Sequence, residues 1–338
     1  MNDLPWVENW EPSYKISVGT REMDISLYTQ QELQAIPTAL QRPSLAEASQ
    51  TIPSNAVFIS NLVSEGFDRE GHDFTFNSIN SLSQQGSDTE TSTFVLHNPS
   101  KEFVDILTQE SSVLILEVGY QQKVVQIYSG DIISVKSNAQ GVGSSVTVKC
   151  ASGALSMRNT LVNLNYDESV SEKDVILDMV RRFPATAVGT YGLEDLKDRY
   201  RTGGRTFVGS LVSNFDKVMA KHNLNYAYSE GKIHITPFRI RGEDYDAFAR
   251  TNFILPLKSI KKIDDISERQ GVGATDTATK LRKLQINTFF LPIELGQFIT
   301  VPDGEYTKDY AGTYQVQARR LILNTKGAWD TVVHCIEV

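Results

Sequence analysis

A glycine-rich segment is the first candidate for chemistry in this chain. Residues 271–280 read Gly-Val-Gly-Ala-Thr-Asp-Thr-Ala-Thr-Lys. Glycines followed by a lysine are typical of loops whose backbone N–H groups bind phosphate, but such loops end in Gly-Lys-Ser or Gly-Lys-Thr between a strand and a helix. Here Lys280 follows Thr279 and precedes Leu281. The spacing therefore argues against nucleotide binding and favours a flexible loop.

The histidines and cysteines are the residues that could bind a metal ion. No two histidines lie three to five residues apart, and the two cysteines are distant, so the spacing of a local metal site is missing. These residues are His72, His97, His222, His234, His334, Cys150 and Cys335. We expect the cysteines to be buried thiols of a protein from a reducing compartment. We predict neither a metal site nor a bound cofactor.

Motifs for hydrolysis are missing as well. The chain contains neither Gly-x-Ser-x-Gly nor His-Glu-x-x-His. Asp174 lies at the start of a predicted helix, which favours interaction with the helix dipole over acid catalysis. A glycosidase would need two carboxyl groups that converge across a cleft. We therefore predict no catalytic residues and a protein that is not an enzyme.

Composition narrows the class of protein further. A chain of 338 residues with 40% hydrophobic residues has room for two or three globular domains. No apolar run approaches the roughly 20 residues of a membrane-spanning helix, and the N-terminus lacks the basic and apolar regions of a signal peptide. The net charge of −8 is unfavourable for binding nucleic acid.

Several segments of the first 160 residues alternate polar and apolar side chains or contain runs of β-branched residues, as strands do. A strand is predicted at 13–21, and the polar, proline-containing stretch within 22–60 is predicted to be an inserted arm. Ser100 is placed to cap a short helix that ends near Leu107. Further strands are predicted at 73–76, 90–96, 113–120, 124–128, 131–136 and 145–150. Short strands at this spacing indicate a small barrel or sandwich.

Helical periodicity follows in the middle of the chain. Ser171 with Asp174 is typical of a helix start, and the predicted helix extends to Phe183. A second helix is predicted at 206–222, and a hairpin at 224–235. The last hundred residues return to strands, which are predicted at 253–257, 284–290, 298–301, 313–323 and 331–338. The sequence therefore predicts a β-rich α+β fold in which two β segments flank an α+β module.

Several of these segments resemble one family of proteins. The similar segments are Thr93–Glu102, Leu116–Tyr120, Ile127–Asp131, Val148–Gly153, Gly312–Val316 and Trp329–Thr331. Together with the order of two helices and a hairpin, they resemble the baseplate hub of contractile-tailed bacteriophages, the adaptor between tail tube and spike. The likeness covers residues 72–240 and, with less detail, 285–338. The arm at 22–60 and the loop at 241–283 match nothing, and Leu323–Gly327 departs from the His-x-Gly-Asp turn common in the family.

The resemblance implies an architecture and a set of partners. Residues 1–160 and 239–338 would be tube-type β-barrel domains, and 161–238 the α+β module between them. Three chains would place six barrels around an axis, between a six-fold tail tube or tube-initiator protein and a three-fold central spike. Baseplate wedge proteins would lie outside, and the tape-measure protein is a further candidate partner. The hub would belong to the virion tail, assemble in the host cytoplasm without a membrane, and let DNA pass through its lumen without specific binding; the net charge of −8 permits an acidic lumen, but the sequence does not give the sign of the residues that face it.

Three other functions fit the same sequence. A tail-associated peptidoglycan hydrolase would need a lytic domain, for which no pattern is present. A receptor- or carbohydrate-binding tail protein would favour a cluster of exposed aromatic residues, whereas Trp6, Trp10 and Trp329 are scattered. The hub of a contractile injection system or bacteriocin would have the same sequence features as a phage hub.

Overall fold

The computed structural model describes most of the chain. The described residues are 4–20, 55–68, 71–83, 90–140, 143–153, 160–183, 187–190, 193, 196, 199–229, 232–237, 252–267 and 282–338. Most of the predicted arm at 22–60 and the glycine-rich segment at 271–280 lie outside these residues, as does part of the loop predicted at 241–283.

The N-terminal part is built from strands and one short helix. They are β1 (Pro12–Thr20), β2 (Val57–Ser60), β3 (Phe74–Ser81), β4 (Thr91–His97), α1 (Lys101–Leu107), β5 (Ser112–Tyr120), β6 (Lys123–Gln140) and β7 (Gly143–Ala151). Ser100 caps α1 as predicted, because its side chain accepts a hydrogen bond from the backbone N–H of Phe103. The sequence did not predict β2.

One strand of this part differs from the prediction. The break expected at Ser129–Gly130 does not occur, and β6 continues through it because it pairs first with β5 and then, from Asp131, with β7. Gly130 does not form the predicted turn, but a glycine is needed at this position because the side chain of Tyr128 packs against it. A Cβ atom there would lie 2.2 Å from the hydroxyl of Tyr128, whose ring is buried in the core.

The middle part contains two helices and two small sheets. Its elements are β8 (Leu161–Tyr166), α2 (Glu172–Arg181), β9 (Ala187–Thr190), β10 (Arg205–Ser210), α3 (Leu211–Lys221), β11 (Leu224–Ser229) and β12 (Lys232–Pro237). Ser171 caps α2 as predicted, since its hydroxyl accepts from the backbone N–H of Asp174. The helix predicted at 206–222 was wrong in its first five residues, which pair with β8 as a strand before α3 begins.

The C-terminal part is again made of strands. They are β13 (Phe253–Ile254), β14 (Ile260–Asp265), β15 (Lys283–Phe289), β16 (Phe298–Val301), β17 (Gly312–Asn324) and β18 (Trp329–Glu337). The strand predicted at 253–257 is only two residues long, because a 3-10 turn begins at Leu257. β14 lies in the stretch that the sequence had indicated as loop.

The two β segments join in a single sheet of 13 strands. Its order is β14-β15-β18-β17-β3-β4-β7-β6-β5-β1-β2, with β16 on β17 and β13 on β16. β17 and β3 pair in antiparallel fashion, with Leu321 opposite Ser78. The buried hydrophobic side chains form three clusters. The first contains residues between 6 and 150 together with Phe290, Leu321, Leu323 and Trp329. The second contains residues between 164 and 235, and the third contains Ala227 and residues between 253 and 335. The β-rich α+β fold class is therefore confirmed.

Two further findings concern the thiols and the helices. Cys150 and Cys335 are buried and unpaired, as predicted, and burial raises the pKa of each thiol to about 12. Within the described ranges, no helix has the length and apolarity that a membrane span requires.

Candidate functional site

The residues considered for chemistry lie on separate elements. His234 is fully buried in β12, where burial lowers its pKa to about 4, whereas His97 and His334 are exposed at different strands. In the part of the chain that the structure describes, no group of three or more His, Cys, Asp and Glu side chains could hold a metal ion. Three other features are candidates for a functional site: an open sheet face, a buried polar junction and a cationic cavity.

The open sheet face extends from β14 to β6. Phe76, Leu321 and Ile286 point into the cores, and their sequence neighbours point outward because side chains alternate along a strand. The strand registers place the outward side chains in rows. One row is Phe289, Asp330, Ile322, Asn77, Thr93, Lys149 and Ser134. The next is Lys262, Asn287, Val332, Arg320, Ile79 and Thr91.

The charge of this face is opposite in sign to that of the chain. Among its paired residues and the adjoining Lys261, six cationic side chains occur with three carboxylates, a net charge of +3, whereas the whole chain carries −8. They are Lys136, Lys149, Lys261, Lys262, Lys283 and Arg320, with Asp131, Asp264 and Asp330. Lys261 forms an ion pair with Asp330 and Lys262 with Asp264. Hydroxyl, amide and apolar side chains fill most of the other positions.

The buried junction lies where the three parts of the chain meet. Glu90, just before β4, is fully buried, and Arg319 of β17 lies beside it with 3.4 Å between the carboxylate and guanidinium. Ser229 of β11 donates to Glu90 at 2.9 Å and accepts from Arg319 at 3.0 Å. Ser152 also donates to Glu90, and Arg319 donates to the carbonyl of Ile293. One polar cluster therefore links all three parts.

The cationic cavity lies in the middle part, beside the first residue of α2. The Glu172 carboxylate there forms ion pairs with Arg205 and, at 3.0 Å, with Lys221, and it lies within hydrogen-bond distance, 3.1 Å, of Nε2 of His222. Burial raises the pKa of Glu172, but the hydrogen bond from Lys221 and the charge of Arg205 outweigh it, so that the pKa lies below its ordinary value. Burial lowers the pKa of His222 in spite of the neighbouring carboxylate, which favours neutral imidazole at pH 7.

The cavity measures about 540 Å³ and is open to solvent. Besides the residues around Glu172, it is lined by Arg199, Tyr200, Arg201 and Thr202. Within the described ranges, no carboxylate forms an ion pair with Arg199 or Arg201. We did not predict this site from the sequence. Its signal was the run of residues 199–205, Arg-Tyr-Arg-Thr-Gly-Gly-Arg, which places three arginines in seven residues of an acidic protein.

Comparison with known proteins gives matches in structure only. No protein-family model and no curated protein matches the chain. A tail protein from Neisseria meningitidis MC58 aligns at a TM-score of 0.51 with 12% identity, covering 79% of this chain and 93% of its own. The 43 kDa tail protein of prophage MuSo2 from Shewanella oneidensis aligns at 0.53 with 7% identity and the same coverage.

A third similar structure comes from a secretion system. The E. coli c3393 protein is described as a component of the type VI secretion system with similarity to the T4 bacteriophage tail proteins gp27 and gp5. It aligns at a TM-score of 0.50 with 10% identity, covering 79% of this chain and 73% of its own. At such low identity the likeness concerns the fold. The chain therefore has a fold found in phage tail proteins and in a tail-like secretion component.

Proposed function

We propose that this chain is a structural tail protein that forms a trimeric baseplate hub between a six-fold tail tube and a three-fold central spike. The observation that carries the proposal is the single sheet in which N-terminal and C-terminal strands pair through β3 and β17. This sheet gives each chain one extended face, to which N-terminal and C-terminal strands both contribute. The shared fold with phage tail proteins supports the same function.

In this proposal each chain supplies two tube-type units. Residues 1–160 and 239–338 form the two units, and 161–238 form the α+β module between them. Three copies then place six units around the axis. Heterologous contacts close such a ring when the rotation between copies closes. The buried junction of Glu90, Arg319 and Ser229 supports this function, because its hydrogen bonds and ion pair link the N-terminal, middle and C-terminal parts of the chain.

The open sheet face is the surface that we assign to the lumen. DNA would pass along it without specific contacts, since hydroxyl and amide side chains outnumber charged ones on its rows. The net charge of this face, +3, is opposite in sign to that of the whole chain.

Mass measurement by light scattering, followed by averaged electron images, tests this function. The proposal expects a trimer that appears as a three-fold ring with a pseudo-six-fold outline and a central hole. A chain that remains monomeric, both alone and with its candidate tube and spike partners, would refute the hub. The absence of lysis in a zymogram with host cell wall is expected as well, since the proposed function is not enzymatic.

A second candidate is the hub of a contractile injection system. The similarity to the E. coli secretion component favours it, because the same fold occurs outside phages. A receptor- or carbohydrate-binding protein has less support. Trp6 and Trp329 are buried in the first core, and of the three tryptophans only Trp10 is exposed. Images of the native particle, either a DNA-filled phage or an empty tail-like assembly, would separate the first two candidates.

A further inference from the structure

Among the residues that line the cationic cavity, the positive charges outnumber the negative ones. Glu172 supplies one negative charge, and Arg205 and Lys221 already form ion pairs with it. Arg199 and Arg201 add two positive charges at the rim of the cavity. In addition, two buried guanidinium nitrogens of Arg205, Nε and Nη2, have no hydrogen-bond partner. Leaving buried polar groups unpaired is costly, so the arrangement favours a bound anion.

A segment of suitable chemistry protrudes from the C-terminal part of the same chain. Between β16 and β17, Asp303 and Glu305 are exposed, and Tyr306 is 88% exposed, among the most exposed of the large hydrophobic side chains described. The base of this loop is fixed by Thr307, which is buried. Its hydroxyl donates to the carbonyl of Pro302 at 2.6 Å, and its backbone N–H donates to the carbonyl of Gly304 at 3.1 Å.

The loop and the cavity are complementary in charge and in aromatic content. The loop presents two carboxylates and one tyrosine, while the cavity presents arginines and Tyr200, which is 60% exposed. Carboxylates pair with arginine through two parallel hydrogen bonds, and an arginine guanidinium also stacks on a tyrosine ring. Because the loop is held at its base, little conformational freedom would be lost when it binds.

We infer that the loop Asp303–Tyr306 of one copy inserts into the cationic cavity of a second copy. The inference rests on the proposed ring, because two different surfaces of the same chain that bind each other form a heterologous contact, which a closed ring requires. The second copy is favoured over an unrelated acidic partner because the chain itself carries both complementary surfaces. Within the described ranges, no hydrogen bond or ion pair joins the loop to the cavity of its own chain.

Cross-linking tests the contact directly. Arg201→Cys and Glu305→Cys are combined in one chain, which is treated with a short bismaleimide. Cys150 and Cys335 are buried and should not react. We expect covalent dimers and trimers from this double variant only. Each single variant, and the mismatched pair Arg201→Cys with Glu110→Cys, serve as controls.

Charge reversal supplies the second measurement. Arg201→Glu and Glu305→Arg should each weaken self-association by roughly tenfold or more, because like charges then face each other. The double variant restores opposite charges at every contact and should recover most of the association. Arg181→Glu, at the far end of α2, and Glu110→Arg, after α1, are matched controls expected to leave the association unchanged.

The outcomes separate this inference from the proposed ring. A stable trimer that neither cross-links through 201 and 305 nor responds to Glu305→Arg would overturn the inference and leave the ring intact. Specific cross-linking of a chain that is monomeric at equilibrium would support the contact and refute the stable trimer. Neither trimer nor cross-link would refute both.

Discussion

Removal of Arg319 should be among the most damaging single changes in this protein. Glu90 is fully buried, and the Arg319 guanidinium, itself 2% exposed, is its cationic partner in the structure. In Arg319→Met, the carboxylate would keep only the hydroxyls of Ser229 and Ser152 as hydrogen-bond donors. Breaking a buried pair by removing one partner costs about 3–5 kcal/mol. We expect a loss of that size in the free energy of unfolding.

The double variant Glu90→Gln with Arg319→Met distinguishes a lost charge partner from lost packing. A neutral pair of similar volume is often as stable as a buried ion pair. The double variant should therefore recover about half or more of the loss, which gives a coupling energy of roughly 2 kcal/mol in a double-mutant cycle. Urea unfolding followed by fluorescence and circular dichroism measures both quantities. A loss below about 1 kcal/mol in Arg319→Met, or no recovery in the double variant, would refute this account of the junction.

Three further predictions concern single residues. Gly130→Ala should lower the free energy of unfolding by about 1–3 kcal/mol in thermal melts, since its Cβ would clash with Tyr128; Gly327→Ala, whose Cβ would have 3.5 Å of clearance, should be nearly neutral. The pKa of His234 is about 4 in the folded chain and about 6.5 in the unfolded chain. As the pH falls from about 6.5 to 4, the unfolded chain therefore binds a proton that the folded chain does not, and the free energy of unfolding decreases. In urea unfolding at a series of pH values, His234→Gln should lose about 3 kcal/mol less over this range than the unchanged chain. Ser171→Ala should cost about 1 kcal/mol in urea unfolding through loss of the α2 cap, and an equally stable variant would contradict that role.

Local signals in the sequence predicted local structure well. Ser100 and Ser171 cap helices where expected, since a cap depends on a side chain and a backbone N–H three residues apart. The strands β4 and β7 were also predicted, at 90–96 and 145–150, because β-branched residues and flanking turn residues are local signals. The error at 206–210 shows the limit of local signals: Phe207 and Val208 have apolar character at helical spacing, but their partner β8 lies more than 40 residues earlier.

Long-range features could not be predicted. The pairing of β3 with β17 joins residues more than 200 positions apart, and no spacing rule reports it. The junction of Glu90 with Arg319 and Ser229 depends on that pairing. The cationic cavity had a signal in its arginines, but only the fold brings Lys221 and Glu172 beside them. The positive charge of the sheet face could not be predicted either, because the net charge of the whole chain is negative and only the strand registers show which side chains share the face.

The pairing of β3 with β17 has a consequence for biogenesis. Phe290, Leu321, Leu323 and Trp329 complete the first core, which is otherwise built from residues 6–150. A nascent chain on the ribosome would therefore hold an unfinished core, with an unpaired edge on β3, until residues 290–329 had emerged. Contacts of such long sequence separation form late and slowly. Only copies translated through Trp329 could complete this core, so that copies truncated before that residue would be unstable.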